Sequence, residues 1–250
     1  MEQHKCSVVP SPVSVKAHQR GFSLIEISLV LVIAGLALGA IISAIGPQLE
    51  NRRVSDTQKS LQETRDALVG WAIINRRLPR PAVSAVDGTE RGNCADELAC
   101  TGFIPWTTLG VTKLDSWGKV IRYSVTPAYA NGNIAADTAT TKTVRTRNAG
   151  ALEDLDTTVP AVIYSHGKHN FGTTDAGVAI ANGSGPSNVD EIANNPTALP
   201  ATTFIQRPFS EAGTLPGVGG EFDDLVVWVN RNRLINQMTS AGTITAPATP

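Results

Sequence analysis

Arg20-Gly21-Phe22-Ser23-Leu24-Ile25-Glu26 opens an otherwise uncharged apolar run from Ile27 to Gly46. About 20 apolar residues at helical rise span roughly 30 Å, the hydrocarbon thickness of a bilayer. The stretch therefore predicts a long helix whose first half is transmembrane, with one carboxylate, Glu26, a turn inside it. An ionised carboxylate in such a segment costs on the order of 2.5–3.5 kcal/mol, so the position asks for a partner. A cut after Gly21 would supply one. The new α-amino group of Phe22 is a positive charge at i−4, and a helix starting there favours a carboxylate in its first turn. In an assembly the same ammonium could pair with Glu26 of a neighbouring chain. A signal anchor with one stray glutamate is the plainer reading, and a cleavable secretory signal is another. The run is longer than a secretory core of about 7–15 residues, and its small-x-small site, Gly35-Leu36-Ala37, falls in mid-run.

Downstream, Gly46-Pro47 is expected to bend the helix. Val54, Leu61, Leu68, Trp71 and Ile74 then mark one helical face, with charged residues on the others. One helix from about Phe22 to Asn75 is expected, ended by Leu78-Pro79-Arg80-Pro81. Residues 78–115 read as a loop-rich connector. Strands are expected at Val120–Val125, where exposed and buried positions alternate, at Pro160–Ser165 and at Leu225–Val229. Stretches 131–150 and 172–220 are rich in Gly, Asn, Thr, Ser and Pro and read as loop or short hairpin. Asn232–Met238 reads as a short helix.

The chain has 250 residues with 21 basic and 22 acidic side chains, a formal net charge of -1. No clustered basic face supports nucleic-acid binding. Lys5, Lys16 and Arg20 precede the apolar run and most of the chain follows it, which puts residues 1–21 in the cytoplasm and exports the rest. Cys6 lies before the cut; Cys94 and Cys100 remain and enclose Ala95-Asp96-Glu97-Leu98-Ala99. In an oxidising periplasm these two are expected to form a disulfide contributing roughly 2–3 kcal/mol. Zinc is the alternative, but about four ligands are needed and no second Cys or His pair lies nearby.

Gly21-Phe22-Ser23-Leu24-Ile25-Glu26 with its apolar run resembles the processing site of type IV prepilins and type II secretion pseudopilins. The resemblance implies cleavage after Gly21 and N-methylation of Phe22 by a prepilin peptidase/methyltransferase. It implies that Glu26, the fifth mature residue, aligns subunits as they enter a filament. The leader, 1–21, is longer than in many type IVa pilins. Further on, Asp115-Ser116-Trp117-Gly118 before a tyrosine-containing strand, Tyr164-Ser165-His166-Gly167-Lys168, and Phe222-Asp223-Asp224-Leu225-Val226-Val227-Trp228 resemble the globular half of pseudopilin-type proteins.

The fold implied is α+β, a long N-terminal helix packed on a small antiparallel sheet. Its parts are a leader (1–21), a transmembrane or assembly helix (22–46), an amphipathic continuation (47–77) and a periplasmic loop-rich domain (78–250). The partners implied are the peptidase, other pilin or pseudopilin subunits, an inner-membrane assembly platform and membrane lipid. The expected location is the inner membrane, single pass, and then a pseudopilus or surface pilus. A single-pass anchored periplasmic binding protein that does not polymerise is the alternative.

The resemblance also implies calcium, held by acidic residues of the C-terminal region with backbone carbonyls. Asp223 and Asp224 before the last strand, with Asp175 in the preceding loop region, are the candidate ligands; Asp190 and Glu191 lie in the same region. The D-x-D-x-D-G spacing of a calcium loop is absent. Without an ion, Asp223 caps a turn and Asp224 is solvated. His166 and His169 read as surface histidines rather than a metal pair. Ser165 beside His166 does not make a catalytic pair by adjacency. Gly217-Val218-Gly219-Gly220 reads as a turn, not a phosphate loop, and Trp71, Trp106, Trp117 and Trp228 read as core. No catalytic residues are expected.

Overall fold

The computed structural model describes residues 21–245, leaving aside the side chains of 37–45. The expected leader falls almost wholly outside the described residues. Helix α1 runs Leu24–Asn75 with Pro47 inside it. The chain divides into two compact units, 1–48 and 49–250, and α1 contributes to both.

Within the second unit, β1 (Thr101–Phe103), β2 (Arg122–Val125), β5 (Ala161–Ser165) and β7 (Leu225–Val229) form an antiparallel sheet in the order β1-β2-β5-β7. A second sheet has the order β4-β3-β6, from β3 (Lys142–Asn148), β4 (Ala151–Val159) and β6 (Thr203–Ile205). In it β3 pairs antiparallel with β4 and parallel with β6. Short helices α2 (Trp106–Leu109), α3 (Pro127–Asn131) and α4 (Val189–Asn194) sit in the connections, and α5 (Arg231–Ser240) follows β7.

The first sheet is covered on both faces. Ile163, Val227 and Val229 join Leu61, Leu68 and Ala72 of α1 and Leu234 and Met238 of α5 in one core. Their sequence neighbours Val162, Tyr164 and Val226 point the other way, onto Val144, Val159 and Phe204 of the second sheet. This two-sided burial explains why β5 is buried at every position instead of alternating.

On α1 the buried stripe is Thr57, Leu61, Thr64, Leu68 and Ala72. The expected face is corrected at its ends, because Val54 and Ile74 are exposed and Trp71 is half-buried. Steps of three beyond Leu68 rotate about 60° away from the stripe each time, whereas a step of four keeps to it. The two threonines that complete the stripe have their hydroxyls satisfied. Thr64 donates to the Ser60 carbonyl at 2.8 Å, and Thr57 accepts from the Ser116 amide at 3.1 Å.

Stretch 131–150 is irregular from the end of α3 to Thr141 and then becomes the first strand and turn of a hairpin, within the loop or short hairpin expected. Asn148-Ala149-Gly150-Ala151 closes the β3–β4 hairpin, with φ of 47° at Ala149 and 90° at Gly150. Two consecutive positive φ values are what a tight two-residue hairpin needs, and glycine supplies the second at no steric cost. Among the described residues no helix is long and apolar enough to cross a membrane. The expected transmembrane first half of α1 is therefore not found there, and residues 37–45 of that expectation have no described side chains.

Candidate functional site

Gly21, Phe22 and Ser23 are non-helical and exposed, and the helix begins at Leu24. Ser23 starts it: its carbonyl accepts from the Glu26 and Ile27 amides, and its hydroxyl accepts from the Ile25 amide at 3.3 Å. Ser23-Leu24-Ile25-Glu26 has the spacing of a capping box, so Glu26 stands three residues into the helix, where the backbone dipole favours a carboxylate. The Gly21–Phe22 bond thus lies in exposed, non-helical chain just outside a capped helix. Past the cap, Leu24, Ile25, Ile27, Leu29, Val30 and Leu31 are all exposed on the single chain. A contiguous apolar surface of this kind requires a cover of lipid or protein.

In the globular unit Cys94 and Cys100 are disulfide-bonded and buried. The bridge is tied to its surroundings through the Cys94 carbonyl, which accepts from Asn131 Nδ2 at 2.7 Å, and the Cys100 carbonyl, which accepts from the Val125 amide at 3.0 Å.

Of the candidate calcium ligands, Asp223 and Asp224 come together with Glu191, each offering an oxygen within 4.8 Å of the others. Asp175 does not join them. It is exposed and pairs with Lys113 at 2.5 Å. Asp190 is engaged by arginines instead, its carboxylate 2.7 Å from both Arg147 and Arg207. Nor is Asp224 solvated: it is buried, accepts from Asn194 Nδ2 at 2.8 Å and lies 3.3 Å from His166 Nδ1.

The donors around the cluster are already committed. Glu191 accepts from the Asp223 amide on one oxygen and from Asn188 and Asn170 on the other. Asp223 Oδ2 accepts from the amides of Lys168 and His169, leaving Oδ1 as the cluster's one buried oxygen without a partner. Calcium takes six to eight oxygens. The carbonyls of His166, His169 and Asn170 would be natural contributors, but all three accept from Lys119 Nζ, at 3.0, 2.6 and 2.7 Å. As arranged, these residues do not fit a calcium ion.

The histidines separate. His169 is part-exposed, 3.2 Å from both Glu221 and Asp223, whereas His166 is buried, contrary to the expectation of two surface histidines. Ser165 Oγ donates to Asp115 Oδ2 at 2.6 Å, so it is paired with a carboxylate and not with a base. The Gly217–Gly220 turn lies over Asp190, where a side chain at Gly219 (φ 106°) would collide with its carboxylate.

Burial raises both Asp223 and Asp224 to about 7, with Glu191 adding repulsion at Asp223. Burial also raises Glu191 and Asp115, and lowers His166 to about 3. For the carboxylates the fold favours the protonated form, so their contribution is present below the ordinary carboxylate range and lost as pH rises through about 7. His166 acts oppositely, its contribution being lost as pH falls from its ordinary value toward about 3. Two carboxylates outweigh one imidazole between those limits. The protein is expected to melt a few degrees higher at about pH 6 than at about pH 8. A melting temperature that rises steadily over that interval would contradict this balance.

Residues 16–42 match the family model described as the prokaryotic N-terminal methylation motif. Searches of curated proteins and of solved structures give no match. The match covers Gly21, Phe22 and Glu26 in register with the non-helical junction, the cap and the start of α1. The chain therefore carries a prepilin-type cleavage and methylation segment.

Proposed function

We propose that this chain is a prepilin-like structural subunit, cleaved between Gly21 and Phe22, N-methylated at Phe22, and assembled into a type II secretion pseudopilus or a type IV pilus. The observation that carries this reading is the methylation motif at 16–42, whose cut site lies in exposed, non-helical chain immediately before a capped helix. The chain is then a substrate of the peptidase/methyltransferase and not an enzyme. Before assembly the apolar run Ile27–Gly46 anchors it in the inner membrane with the C-terminal domain in the periplasm. On the assembly platform that surface exchanges lipid for neighbouring subunits.

In the assembled state the Phe22 ammonium and Glu26 offset each other in apolar surroundings. Removing one leaves the other unpaired, at a cost on the order of 2–3 kcal/mol per subunit, roughly 50-fold in association. Mass spectrometry of the mature protein is expected to show N-methyl-phenylalanine at Phe22. Glu26→Ala is expected to be cleaved normally yet to be lost from the sheared filament fraction. An intact N-terminus with no co-assembly would identify an anchored periplasmic binding protein instead.

A further inference from the structure

We propose that the Lys119 ammonium is the resident cation of the acidic loop, doing with a side chain what a bound metal ion would otherwise do. A protonated lysine has three N–H donors, and Nζ here meets three backbone carbonyls, those of His166, His169 and Asn170. A neutral amine would have only two donors to offer.

Those carbonyls converge because the loop turns through positive φ at four positions, 55° at Gly167, 41° at Asn170, 37° at Phe171 and 92° at Gly172. Carbonyl oxygens crowd together favourably only around a positive charge. Burial lowers the Lys119 pKa, and the neighbouring carboxylates of Asp223, Asp115, Asp224 and Glu191 oppose that shift wherever they are ionised.

The lysine is aimed by its own backbone. Its amide donates to Asp115 Oδ1 at 2.9 Å, its carbonyl accepts from the Asp115 amide at 2.8 Å, and the tight turn between them has Gly118 at φ 80°. Gly172 leaves room for the stem, since a side chain there would run into Lys119 Cδ. The loop is in turn stitched to the carboxylates through Asn170, which donates to Glu191 at 2.9 Å and Glu221 at 3.2 Å. One charge thus joins the 166–172 loop, the turn before β2 and the acidic entry to β7, with no ion taken from solution.

The test uses the full mature chain in detergent, melted with calcium chloride and with a chelator, alongside Lys119→Met. The wild type is expected to melt at the same temperature in both and to show no calcium uptake by calorimetry. Lys119→Met strands three carbonyls and should melt roughly 10 °C or more lower, with new protease cuts within 166–172. Calcium uptake by the wild type, or a melting temperature that falls on chelation, overturns the proposal. So does Lys119→Met with unchanged melting and unchanged protease resistance. If that variant is not recovered folded, the wild-type arm alone decides. None of these outcomes depends on filament assembly, so failure here is distinguishable from failure of the subunit reading.

Discussion

Precursor carrying Gly21→Val is expected to accumulate uncut, keeping residues 1–21 and an unmethylated Phe22. The fold itself gives no reason for harm. A Cβ at Gly21 meets nothing within 4 Å, and the residue lies outside the helix in exposed chain. Helix α1 starts from Ser23, two residues further on, through bonds that the substitution does not touch. The whole effect should therefore fall on recognition by the peptidase, where a Cβ beside the scissile carbonyl blocks close approach of the two backbones. Maturation should drop at least tenfold, read as a heavier band on a gel and as retained leader peptides by mass spectrometry. The melting temperature of the globular unit should be unchanged. Normal maturation would falsify the assigned cut site. Slow maturation together with a lowered melting temperature would point to misfolding instead.

The elements legible in the sequence are those whose local pattern and tertiary role agree. Leu225–Val229 and Ala161–Ser165 are short runs dominated by apolar and β-branched residues, and they become the strands buried on both faces. The two surviving cysteines, enclosing a short polar loop, are bridged. The hairpin β3–β4 is hard to read from the sequence because its strands mix charged, hydroxyl and apolar residues without a strict alternation. It is held by cross-strand pairs such as Arg145–Asp154, at 2.7 Å, and closed by Ala-Gly in place of the Asn-Gly or Asp-Gly that announces such turns. Strand β6 has three residues and exists through its parallel pairing to β3. The stripe on α1 departs from the apolar pattern because two of its members are threonines, polar by type yet buried and satisfied, and because it continues from Leu68 by a step of four to Ala72 and not through Trp71 and Ile74.

The acidic cluster was half legible. Asp223 and Asp224 were visible as neighbours of a strand, and Glu191 as a member of the preceding loop. That Asp175 turns away to Lys113, and that a lysine from another segment fills the carbonyl cage, depends on contacts across about 50 residues of chain. Asp115-Ser116-Trp117-Gly118-Lys119 did contain a signal: a glycine turn that places a lysine just ahead of a buried strand. Its meaning required the loop it reaches.

A second large loss is expected from Asp190→Ala. This aspartate sits on α4 with its side chain almost wholly buried, 2 % exposed, between two guanidinium groups. Arg147, from the end of β3, approaches with Nε at 3.0 Å and Nη2 at 2.7 Å; Arg207, from the loop after β6, approaches with Nε at 2.7 Å. Arg207 is further held by the Gly220 carbonyl and Ser210, with its guanidinium 4.4 Å from the Phe222 ring centre. The carboxylate thus fastens the β3–β4 hairpin, α4 and the 206–222 loop at one point. Removing it leaves two buried or half-buried cations facing each other without a counter-charge, the situation in which a broken buried pair costs roughly 3–5 kcal/mol. For a chain of this size that is on the order of 10 °C in melting temperature. Arg207→Met should cost less, because Arg147 still neutralises Asp190. The double variant should be less damaging than the sum of the two, with a coupling of about 1–3 kcal/mol in a double-mutant cycle. Strictly additive losses would mean that the three side chains do not act as a unit. In that case the 206–222 loop would have to be held by its backbone contacts alone.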